Sequence, residues 1–179
     1  MTADARLALL ASYNQWMNRR LYDAAATLPH AALAADRGAF FGSILGTLNH
    51  LVVTDTIWLK RFASAADAPA VLAELDGTPM PASLDALPYP TLPPLRERRE
   101  WLDALIVRWV EALTPDRLSS CLVYANMKGV PARRSTLALA THLFNHQTHH
   151  RGQATTLLAQ AGVDVGATDL LALIPDEPA

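Results

Sequence analysis

The chain has 179 residues, 15 of them basic and 17 acidic, for a formal net charge of −2, and apolar residues make up 51% of it. Such a length and apolar content support one domain with its own core, spanning 1–179, and argue against disorder. The near-neutral balance leaves no polycationic field to hold nucleic acid, and a single cysteine, Cys121, excludes an internal disulfide and any Cys-rich zinc or iron–sulfur site.

Four long amphipathic segments follow one another. The first runs from about Ala3 to Leu28, where Leu10, Tyr13, Met17, Leu21 and Leu28 recur at three- and four-residue steps and Pro29 ends the pattern. The second opens at Ser43, an N-cap residue after Gly42, and reaches about Phe62. The third follows Pro93-Pro94 and runs to Leu113, before Thr114-Pro115. The fourth starts at Ser135 and runs to Gln160, with Gly162 placed to cap its C-terminus.

The connections are less regular. Residues 64–92 read as a long Pro-rich loop with one helical turn at Val71–Leu75, and this loop is a candidate border of any site. Leu122–Tyr124 and Val130–Arg134, either side of Asn126 and Gly129, suggest a short hairpin, and Thr168–Leu171 a short terminal helix. The whole predicts an all-α four-helix bundle. The first residues lack the pattern of a secretory signal and no apolar run is long enough to span a bilayer, so a cytoplasmic protein without membrane contact is expected.

Four of the six histidines, His142, His146, His149 and His150, fall in the fourth segment. Residues three or four apart share a helix face, so His142/His146, His146/His149 and His146/His150 could each converge on one ion. At about 100° per residue, Leu139, Leu143, Ala154, Leu157 and Ala161 define the apolar face. His150 falls in its middle and His146 about 40° to one side, while His142 and His149 lie toward its boundary. A single inward histidine is ordinarily a hydrogen-bonded core residue. Two at i, i+4 bury two polar rings at a cost of about 1–3 kcal/mol each if unpartnered, and a metal would satisfy both.

A catalytic zinc usually takes three protein ligands and a water. His30 follows Pro29 in a loop and is expected to be exposed. His50 sits within the second helix, toward the edge of the face formed by Leu48, Leu51, Trp58, Leu59 and Phe62, with Val53 and Ile57 on its other side. Periodicity alone does not decide its burial. Asp55 and Asp103 are carboxylate alternatives ranked below His50, and Cys121 reads as a small buried hydrophobe. Gln147 and Gln153 are candidates to orient imidazoles. Arg151 reads as an exposed salt-bridge residue, with substrate-anion binding as its functional alternative. No strong general base stands out among His149, His142 and Asp55, so no catalytic residue is assigned.

Three stretches resemble the DinB/YfiT-like superfamily of metal-dependent four-helix bundles: Tyr13–Asn18, Gly42–Leu51 and, most specifically, His142–Gln153. The resemblance covers nearly the whole chain. It implies that His50, His146 and His150 bind a divalent metal, zinc first and nickel second, and that the protein is a homodimer. Some relatives use low-molecular-weight thiols, as in mycothiol-dependent maleylpyruvate isomerase and bacillithiol transferases. Others carry only a damage-inducible label, which describes expression rather than DNA contact. The function expected is therefore a metal-dependent small-molecule hydrolase or thiol S-transferase with an open coordination position. The alternative is a non-catalytic, metal-stabilised binding or structural protein. With so little cysteine in the chain, any reacting thiol is expected to arrive with a substrate or cofactor.

Overall fold

The computed structural model describes residues 1–176. Its elements are α1 (Ala3–Ala25), α2 (His30–Ala34), α3 (Ile44–Ala63), a 3-10 segment (Ala70–Leu75), α4 (Leu92–Glu111), α5 (Pro115–Ser119), β1 (Cys121–Ala125), β2 (Pro131–Ser135), α6 (Thr136–Gln160) and a second 3-10 segment (Leu170–Leu173). The long helices α1, α3, α4 and α6 form the bundle: α1 packs on α4 and α6, and α3 packs on the same two. Thus α1 and α3 sit on a diagonal. Leu21, Leu48, Leu51, Leu102, Leu105, Trp109 and Leu143 fill the space between them.

Local chemistry sets the boundaries. The Ser43 side chain accepts from the Gly46 N–H and starts α3; the Ser135 side chain accepts from the Ala138 N–H and starts α6. Gly162, at φ +82°, ends α6, and the Val163 N–H returns to the Leu158 carbonyl. Helix α1 stops at Ala25, short of Leu28, where the Thr27 hydroxyl donates to the Ala24 carbonyl and competes with the helical pattern. His30 is exposed, as expected, but it opens the short helix α2 rather than lying in a loop. Thr114-Pro115 ends α4 and also starts α5, because the Thr114 side chain accepts from the Arg117 N–H and Pro115 fits the first helical turn.

The hairpin forms as two antiparallel strands with Cys121 opposite Ser135 and Ala125 opposite Pro131. Side chains alternate along a strand, so burial of Leu122 turns Cys121 outward. Cys121 is exposed, which corrects its reading as a buried hydrophobe. Among the described residues no helix is long and apolar enough to cross a membrane.

A buried polar network ties the four long helices together. Arg99 on α4 donates to Asp55 on α3 at 2.7 Å and lies 3.0 Å from Asp103, one turn along its own helix. Asn14 and Asn18 of α1 donate to the same Asp103 oxygen at 3.0 and 2.9 Å. Arg151 of α6 donates to Asn14 and, at 3.2 Å, to Thr148, with its guanidinium over the Tyr13 ring. Arg99, Asp55 and Asp103 are each no more than 3% exposed. Asp55 and Asp103 are therefore structural partners of arginine and not metal ligands, and Arg151 is buried inside the bundle, contrary to its reading as an exposed residue. Removing one member of a buried charge cluster leaves the others uncompensated. Arg99→Met is expected to lower the unfolding free energy in urea by about 3–5 kcal/mol; a loss below about 1 kcal/mol would contradict this role.

Candidate metal centre

Helix α6 carries His146 and His150 one turn apart, and α3 packs against it with His50 facing them. The Nε2 atoms of His50 and His150 lie 3.2 Å apart, and those of His150 and His146 3.1 Å apart. One ligand atom from each of the three lies within 4.8 Å of the others. Zinc–imidazole bonds of ~2.0–2.1 Å place tetrahedral ligand nitrogens roughly 3.3 Å from one another. The cluster thus has the dimensions of a three-histidine metal site.

The opposite edges of two rings are already engaged. His50 Nδ1 lies 2.7 Å from the Leu84 carbonyl, which can only accept, so this nitrogen carries the proton. His150 Nδ1 lies 2.7 Å from Gln153 Oε1, while the Gln153 amide nitrogen faces His149 Nε2 at 3.5 Å. Both Nδ1 atoms therefore donate, and both Nε2 atoms present lone pairs to the shared centre. Neutral His146 has a single N–H to offer. That one proton can serve the contact between His146 and His150 but not the one between His50 and His150, whereas a cation satisfies all three lone pairs. Holding the Nδ1–H in a hydrogen bond is also how protein surroundings fix the tautomer of a metal-ligating histidine.

The surroundings keep the rings neutral. Burial lowers the His50 pKa to about 4, opposed by the Leu84 hydrogen bond and reinforced by His150. Burial lowers His146 to about 3, with charge on His150, His50, His142 and His149 acting in the same direction. His150 is also lowered by burial, against the pull of Gln153. Neutral imidazole is the form a metal ion requires, and these three rings are in that form at neutral pH.

Phe41 closes one side, stacked on His50 with ring centres 3.8 Å apart and edge-on to His150 at 5.5 Å. Gly42, at φ +71°, turns the chain between Phe41 and the Ser43 cap. Gly46 lets the Phe41 carbonyl lie against the first turn of α3, since a Cβ there would sit 2.1 Å from that oxygen. The Pro-rich connection borders the site through Leu84 and is strapped to α3 elsewhere. Asn49 exchanges two hydrogen bonds with the Tyr89 backbone, and Lys60 donates to the Thr78 carbonyl at 2.6 Å.

The structure brings together His50, His146 and His150 and leaves out the other candidates. His142 and His149 are exposed, at ring distances of 5.8 Å from His146 and 4.7 Å from His150 respectively. Gln153 orients an imidazole as expected; Gln147 does not, being buried beside Arg151. Phe41 and the Leu84 carbonyl were missed. An aromatic residue before Gly-Ser was the available signal for the first, whereas a main-chain carbonyl in a Pro-rich loop has none.

The chain is thus a four-helix bundle with inward histidines on two packed helices, a cluster that could hold a metal ion. The DinB family model matches residues 1–177, so the chain belongs to the DinB family. Protein DinB of Bacillus subtilis (strain 168) is 25% identical over 163 residues, covering 89% of this chain and 88% of that protein.

Two outcomes follow for the site. Gly46→Ala forces the Phe41 carbonyl away and is expected to lower stability by about 1–3 kcal/mol in chemical denaturation; an unchanged midpoint would contradict the close approach. Unfolded imidazoles protonate near 6.5, folded His50 and His146 only near 4 and 3. In that interval the unfolded chain binds more protons, so stability falls as pH falls. The melting temperature of metal-free protein should drop between pH 7 and pH 5, and His146→Gln should flatten the drop. Identical profiles for the two would count against buried neutral imidazoles.

Proposed function

We propose that this protein is a metal-dependent enzyme acting on a small molecule, with His50, His146 and His150 holding one divalent ion, zinc in the first instance and nickel in the second. The observation that carries this reading is the convergence of two Nε2 lone pairs at 3.2 Å with both Nδ1 protons engaged elsewhere. Such an ion would supply a Lewis acid that lowers the pKa of a coordinated water or thiol toward neutrality. The reaction is hydrolysis or transfer to a low-molecular-weight thiol.

The protein's own contribution is to hold three neutral rings in place. Leu84 and Gln153 fix two tautomers, and Phe41 packs over His50 to exclude water from that side. Among the described residues no carboxylate or cysteine joins the three histidines. Three ligands suit an open, reactive site rather than a closed structural one, which favours the enzymatic reading over a metal-stabilised scaffold. A thiol in the reaction would come with the substrate or a cofactor. A homodimer, expected from the family and the high apolar fraction, and a cytoplasmic location, expected from the sequence, are part of the same proposal.

Metal-loaded protein screened against thiol-dependent transfer and against ester and amide hydrolysis should turn over at least one substrate class. His146→Ala should reduce that turnover at least about 100-fold, the scale on which a lost transition-state contact reads out. Equal turnover by the variant would remove the metal from the mechanism.

A further inference from the structure

Along the α3–α6 seam from the histidines lies an arginine with no anion. Arg61, in the last turn of α3, has its guanidinium 4.6 Å from the Trp58 ring centre and 5.1 Å from that of Tyr124 on β1. It forms no ion pair among the described residues, whereas Arg96, Arg99, Arg108 and Arg117 each meet a carboxylate. No carboxylate acts on its pKa either: burial lowers it, and only Tyr124 opposes that. A guanidinium held between aromatic faces keeps its planar fork of N–H donors for a carboxylate, phosphate or sulfonate.

A second positive charge stands beside it. In the hairpin Arg134 pairs with Leu122, so it shares the face on which Leu122 is buried and Tyr124 contacts Trp58. Besides burial, Arg134 and Arg61 both act to lower the His142 pKa, in keeping with the hairpin register that sets Arg134 on the Tyr124 face. Two like charges converging without a counter-ion repel each other, and a bound anion relieves that repulsion. A role at the helix C-terminus alone would need only charge, which Lys60 in the same turn already provides.

The arginines are also connected to the histidine cluster. From His146 the rings run to His142 at 5.8 Å, from His142 to Trp58 at 5.1 Å, and from Trp58 to the Arg61 guanidinium. We infer that Arg61, supported by Arg134, is an anion subsite, and that the substrate carries an acidic group several bonds away from the atom presented to the three histidines. This inference rests on the metal reading of His50, His146 and His150. Apolar contact with Trp58 and His142 would accommodate the intervening part of the molecule.

Binding to cobalt(II)-loaded protein tests it, with the thiolate-to-cobalt absorption band as readout. The probes are a graded series of ω-mercaptocarboxylates, from 3-mercaptopropionate to 11-mercaptoundecanoate, and the mercaptoalcohols of matching length. At one or more lengths the acid should bind about tenfold tighter than the alcohol, as one charge-assisted contact provides. Arg61→Ala should bind acid and alcohol alike, and Arg134→Ala should reduce the preference. Arg133→Ala, on the opposite face of the hairpin against Val123, should keep it. Equal binding of acids and alcohols at every length, or an acid preference that survives Arg61→Ala, would overturn the subsite alone. Failure of the protein to take up cobalt(II) would overturn the metal reading, and the subsite with it.

Discussion

Two imidazoles face each other across 3.2 Å with their protons committed to the other side of each ring, and the rest of the site follows from that constraint. Lone pairs so placed repel unless a cation or a donor lies between them. The bundle must therefore hold α3 and α6 at a fixed separation and axial position, because a shift of one residue would turn His50 away from the pair one turn apart on α6. Burial raises the stakes, since it removes the water that would otherwise satisfy the rings and makes protonation costly.

The buried network of Asp55, Arg99, Asp103, Asn14 and Arg151 bears on the same requirement. Asp55 is on the helix that carries His50, and Arg151 directly follows His150. Ion pairs and hydrogen bonds are directional where apolar packing is not, so each helix that brings a histidine also carries an anchor with a defined position. Whether a buried ion pair adds net stability depends on desolvation; here its consequence is that sliding α3 or α6 would break charged contacts. The bundle thus contains two polar clusters of opposite kind. One is internally matched in charge, two arginines against two aspartates. The other has acceptors in excess, and that surplus is what a metal ion could satisfy.

Legibility from sequence followed the range of the interactions involved. The four long helices, the hairpin and the Ser43 and Ser135 caps depend on residues within a turn or two and were readable. The inward direction of His146 and His150 follows from one helix's own periodicity. His50 was not settled that way, because α3 is apolar on more than one side; the family resemblance indicated it, and the packing of α3 on α6 places it. Arg151 was misread because the partners that bury it from across the bundle, Asn14 and Tyr13, lie on α1, and no pattern within α6 announces them. Leu84 acts through its backbone oxygen, which any residue would supply. Cys121 was misassigned from its residue type, when the two-residue period of β1 decides its direction.

Zinc binding to wild-type protein and to His150→Ala, followed by metal analysis after dialysis, tests the central claim most directly. The account predicts about one ion per wild-type chain and loss of most of it in the variant, as removal of one of three ligands requires. Full metal content in His150→Ala would contradict it.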